Sequence, residues 1–160
     1  MYVPFKELSS QSKVWIYQSD KKITKDAELK IKNKLKEFVE NWTAHSQVLK
    51  SSFDIRYNFF IILSIDESLN KASGCSVDSL FRVIKEIEEI CEISLLSREN
   101  LAFFIDDEVV VIELKNIKDE IKKGNINTQS IFFNNFANYI EELPTNWMIP
   151  IEKTWLKKYF

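Results

Sequence analysis

Glycine is nearly missing from this chain: two residues in 160, Gly74 and Gly124. A phosphate-cradling P-loop needs two glycines ahead of Lys-Ser or Lys-Thr, so that backbone amides can close on the phosphates. Here Gly74 is followed by Cys75 and Gly124 by Asn125, which excludes that mode of nucleotide binding. Histidine occurs once, as His45, and cysteine twice, as Cys75 and Cys91. That set supplies no recognisable metal-ligand spacing and no disulfide framework; it implies no metal and no cofactor, and suits a reducing compartment. Long apolar runs are missing too. None approaches the ~18 residues of a membrane span, and Met1 to Lys13 lacks a basic region followed by an apolar one, so the expectation is a cytoplasmic chain with no membrane insertion. Neither charge dominates: 22 basic against 24 acidic residues, net −2. No double-stranded DNA partner is expected from that balance, although a local patch for RNA stays open.

What is present is apolar and aromatic. Hydrophobic residues make up 45% and aromatics 13% of the sequence, enough for one domain over residues 1–160 that buries roughly 68–70% of its unfolded surface. Met1 to Phe5 is apolar, with Pro4 forcing an extended entry, and reads as tied to the core. Lys13 to Gln18, rich in aromatic and β-branched residues, predicts a first strand. Thr24 can cap a helix running to about Trp42, with Ile31, Leu35, Phe38, Val39 and Trp42 on one face. Lys21, Lys22, Lys25, Lys30, Lys32, Lys34 and Lys36 flank that stripe. They read as a solvated face, with a phosphate-binding ridge as the alternative.

His45 falls just past that helix, where an imidazolium is favoured by the macrodipole as a capping group; a general base or partner to Cys75 is the alternative. Phe53 to Tyr57 alternates like a half-buried strand, and Phe59 to Ile65 is apolar throughout, like a strand buried on both faces. Asn58 is either a turn between the two or a bend in one continuous strand. Asp66, Glu67 and Ser68 mark the strand end, where carboxylates either serve a site or simply meet water.

Ala72 to Asp78 carries the greatest concentration of chemistry. A glycine, where glycine is so scarce, suggests unusual backbone angles or close approach at Gly74. Ser73 or Ser76 can cap a helix carrying Leu80, Val83, Ile84, Ile87, Ile90 and Cys91 on its apolar face. Cys75, near that helix N-terminus, can act as a thiolate nucleophile with His45 as base and Asp66 or Asp78 as orienting carboxylate, Ser73, Gly74, Ser76 and Asp78 lining the ligand site. The alternative is a packed structural thiol, with Asp78 favouring the helix by its charge alone. Cys91, on the apolar stripe, reads as core.

Leu101 to Ile105 and Val109 to Leu114 predict a β-hairpin, Asn116 the cap of a short helix with Asp119 at its third position and Gly124 past its end, and Ser130 to Phe133 the last strand. The aromatic tail, with Trp147, Trp155, Tyr159 and Phe160, should wrap the domain or dock on a partner. The order gives an α+β fold: a mostly antiparallel sheet with two main helices on one face, a ferredoxin-like βαββαβ core plus an appended strand and short helix.

Val14 to Ser19, Trp42 to His45, Ser52 to Asn58, Asp66 to Ser68 and, most specifically, Ala72 to Ser79 resemble a family of short, uncharacterised bacterial proteins often labelled "ABC transporter ATPase". The likeness runs from Met1 to Phe160. Where that family usually has glycine after the histidine, this chain has Ser46, which counts against a tight backbone turn there. The glycine pattern excludes ATP hydrolysis by the ABC mechanism, so the resemblance implies no activity. Two functions follow from the residues. One is a non-catalytic interaction module, engaging a cytoplasmic protein or RNA partner through its aromatic tail or lysine-rich helix. The other is a small thiol-dependent enzyme or redox sensor built on Cys75, His45 and a carboxylate.

Overall fold

The computed structural model describes all residues, Met1–Phe160. Its central element is β5, Phe60–Asp66, in which every residue is buried. Alternation sends Ile61, Leu63 and Ile65 to one face and Phe60 and Ile62 to the other, so each face requires its own covering layer. β5 lies between β1, Lys13–Gln18, and β4, Lys50–Arg56, and pairs antiparallel with both. β4 and β5 form a hairpin over Tyr57 to Phe59, with Tyr57 and Asn58 left-handed at φ 55° and 57°; the alternative of one bent strand is ruled out. The entry is tied down as expected: Val3 N–H donates to Ser51 O at 3.0 Å.

Two helices cover the Ile61 face. α1, Lys25–Asn41, is capped by Thr24, whose hydroxyl accepts from Ala27 N–H at 3.1 Å, and buries Ala27, Ile31, Leu35 and Val39 at four-residue spacing. α2, Gly74–Cys91, buries Leu80, Val83, Ile84 and Ile87 against the same layer. Each such side chain contributes about 1.5–3 kcal/mol on burial. The sequence stripe overreaches at its end: Ile90 is exposed, and Cys91 is half-buried at the rim of the core.

The Phe60 face packs on a second antiparallel sheet of four strands, ordered β7-β6-β8-β9: β6 is Asn100–Ile105, β7 Glu108–Glu113, β8 Ile131–Phe133 and β9 Met148–Pro150. Val14, Phe60, Ile62, Ala102, Phe133 and Trp147 fill the space between the sheets. The outer face of the second sheet, with Leu101, Phe103, Ile112 and Phe132, is covered by α3, Ile117–Lys122, and by Ile151 and Leu156 of the tail. The chain thus stacks helices, sheet, sheet and an outer helical layer.

The α+β class and the pair of helices on one face stand as expected, but the ferredoxin-like sheet is not completed. β1, α1, β4 and β5 follow the split βαβ pattern, whereas the fourth strand, β6, leaves for the second sheet. The physical reason is that β6 is apolar on both faces, with Leu101 and Phe103 opposite Ala102, and needs its own layers. Ser130–Phe133 is not the last strand either; β9 follows it from within the aromatic tail. Asn116 makes no side-chain cap, because a 3-10 turn over Leu114–Asn116 already leads into α3 with Asn116 itself helical. Gly124, at φ 76°, ends α3 in the left-handed conformation for which glycine is suited.

Candidate functional site

The Ala72–Asp78 stretch is built by a reciprocal capping box. Ser76 N–H donates to Ser73 Oγ at 3.2 Å and Ser73 N–H to Ser76 Oγ at 2.7 Å, which satisfies two free amides at the start of α2. Ser73 and Ser76 are therefore occupied by the helix itself. Gly74 is the first helical residue, has no positive φ, and a Cβ there would meet nothing within 4 Å. The expected need for special backbone freedom at Gly74 is overturned: ordinary helical geometry serves. Cys75 is exposed in the first turn and Asp78 is exposed beyond it.

His45 lies in the two-residue turn joining β2, Thr43–Ala44, to β3, Gln47–Val48. His45 and Ser46 are both left-handed, at φ 50° and 64°, so a tight turn exists there without glycine. The turn is anchored because Trp42, buried at the end of α1, donates its indole N–H to Ser76 O at 2.9 Å. His45 is exposed and makes no side-chain hydrogen bond to Cys75 or Asp66. Asp66 sits across from Lys50 in the β4–β5 register and is held by Lys50 Nζ at 2.8 Å and by Ser68 N–H at 3.0 Å. Those hydrogen bonds, Lys50 first, hold its carboxyl down at about 2. Its oxygens face Lys50 and Ser68 and are committed to the fold.

A second place draws side chains together from five chain segments. Beside the edge of β1 that the missing fourth strand would have paired, a cleft of about 900 Å³ opens. Its walls are Ile16, Tyr17, Leu95, Leu96, Leu101, Phe132 and Phe133, and its rim is Phe81, Phe136 and Trp155, which are 46%, 69% and 38% exposed. A chain of polar contacts crosses one side. Trp147 Nε1–H donates to Asn135 Oδ1 at 3.0 Å, Asn135 Nδ2 to Gln18 Oε1 at 3.0 Å, and Gln18 Nε2 to Asn100 O at 3.0 Å. Burial pushes the Tyr17 phenol up to about 12, keeping it neutral. Arg98 and Ser97 complete the lining. The size and the mix of apolar walls with a few polar groups are those of a binding cleft.

Sequence reasoning flagged Trp155 within the aromatic tail but missed Phe81, Arg98, Asn135 and Phe136. No local pattern joins them; they meet only through β1, α2, the stretch 95–101 that leads into β6, the stretch 132–136 that runs out of β8, and the tail. A smaller pocket of about 430 Å³ lies between α1 and α2, lined by Lys34, Glu37, Asn41, Arg82 and Glu86 among others. Neither cavity is lined by Cys75, His45 or Asp66. Three of the five lysines of α1 lie beside acids: Lys30 with Asp26, Lys32 with Glu28 and Lys34 with Glu86. No helix is long and apolar enough to cross a membrane. Protein-family models, curated proteins and solved structures yield no match to this chain, so the site stands on its own geometry.

Proposed function

We infer that this is a non-catalytic interaction module that accepts an apolar segment of a protein partner in the cleft beside β1. The observation that carries this is the rim of exposed aromatics, Phe136 above all, around apolar walls of about 900 Å³. A monomer leaves aromatics uncovered around a concavity at a cost in apolar hydration, which a partner's side chain relieves. An RNA partner gains less support, since three lysines of α1 are spent on neighbouring acids. The resemblance to short bacterial proteins adds no activity to this reading.

Selection of a displayed random-peptide library tests it. Apolar peptides should be enriched on the wild type, lose binding to Phe136→Asp, and keep binding to Cys75→Ala. Enrichment of peptides indifferent to Phe136→Asp, or binding of RNA in place of peptides, would refute the cleft as the docking site. A second reading, a thiol-dependent enzyme or sensor, draws on the exposure of Cys75 in the first turn of α2.

A further inference from the structure

We propose that the cleft recognises the C-terminal residue of its partner chain, holding a bulky apolar side chain between the aromatics and the free α-carboxylate on Arg98. This rests on the cleft being the docking site and adds what it reads. Among its lining residues there is one formal charge, Arg98, and no carboxylate. None of the protein's ion pairs uses Arg98, so its guanidinium is free for a planar anion, which it can grip with two parallel N–H donors.

The polar wall points the same way. Gln18 and Asn135 each spend one amide N–H on the chain of contacts that fixes them, and a primary amide has two. On each amide one N–H makes no hydrogen bond within the protein, and the two side chains are held in place by Asn100 O and the Trp147 indole. Donors without a competing acid select an acceptor-rich, negatively charged group. Apolar walls beside those donors select a large side chain next to it. A chain terminus supplies both from a single Cα, whereas an internal acidic residue must present its carboxylate and a neighbour's side chain from two.

Nuclear magnetic resonance titrations of the whole chain decide the matter, with the side-chain amides of Gln18 and Asn135 and the indole of Trp155 as reporters. The probes are N-acetylphenylalanine, its C-terminal amide, and acetyl-aspartyl-phenylalanine amide. The free acid should bind about tenfold more tightly than the amide, as a charge-assisted contact at a half-open site implies. The aspartyl probe should bind like the amide. In Arg98→Gln the preference for the acid should vanish while residual binding persists, and in Phe136→Asp all binding should be lost. Both positions are exposed, so unchanged spectra elsewhere certify the fold. Equal binding of acid and amide, with both lost in Phe136→Asp, overturns the carboxylate assignment and leaves the cleft standing. Tight binding of the aspartyl probe overturns the terminus. Failure of every probe to move the three reporters overturns both inferences.

Discussion

Asp66 shows how a residue that looks chemical becomes structural. Its carboxyl is lowered in the fold to about 2, from 3.8, by Lys50 and Ser68. A depressed carboxyl stabilises the native state above its unfolded pKa and loses that contribution as pH falls toward the folded one. The shift corresponds to about 2 kcal/mol at neutral pH. Asp66→Asn should therefore unfold at lower urea concentration at pH 7, and its difference from the wild type should shrink between about pH 4 and 2. A difference independent of pH would show that the ion pair contributes nothing. Cys75 offers the opposite case, an accessible thiol without fixed partners. It should alkylate in the native protein faster than half-buried Cys91, and His45→Ala should leave its rate within about twofold, given that a coupled base contributes far more. A tenfold fall in rate would favour the thiol-dependent reading. At this scale the sequence located the residues but not their roles. Exposure of Cys75 and His45 and the pairing of Asp66 with Lys50 depend on strands and turns that sequence neighbours do not specify.

At the scale of the element, local chemistry was largely readable. Thr24, the α1 stripe, β1 and the hairpin of β6 and β7 stand where capping, periodicity and turn residues put them. Ser73 proves to be the cap of α2, with Ser76 as its reciprocal partner. Ser73→Ala should cost about 1 kcal/mol, read as a lower melting temperature with unchanged native spectra. Gly74 carries the more pointed test, because its scarcity suggested a special backbone that the fold does not use. With helical φ and open space, Gly74→Ala should stabilise by about 0.5 kcal/mol through the unfolded state, measured as a rise in the urea midpoint. Destabilisation there would restore the case for a constrained glycine. Ser46 went the other way: the β2–β3 turn holds a serine at φ 64°, because Trp42 and the short hairpin fix the chain around it.

At the scale of the molecule, β5 is the plane about which everything stacks, and Phe60 and Ile61 report on different layers of it. Phe60 touches Phe133 at 4.5 Å and Trp147 at 5.0 Å between centroids, so Phe60→Ala should uncouple the two sheets at a cost of about 3–5 kcal/mol. The near-ultraviolet signal of the aromatics should fall with it; a mild loss that spares that signal would mean the sheets are held elsewhere. The sequence by itself determined the helices, the doubly buried strand and the α+β class, because hydrophobic period and capping act over a few residues. Only tertiary structure decided that β6 would found a second sheet, since strand partners compete over long separations and the choice turns on which arrangement covers both faces of β6. The cleft arose from that choice. With the fourth strand gone, Asn138 and Tyr139 take the start of the outer edge of β1, and the cleft beside Ile16 to Gln18 is walled by residues as far apart as Ile16 and Trp155, a proximity that no local period encodes.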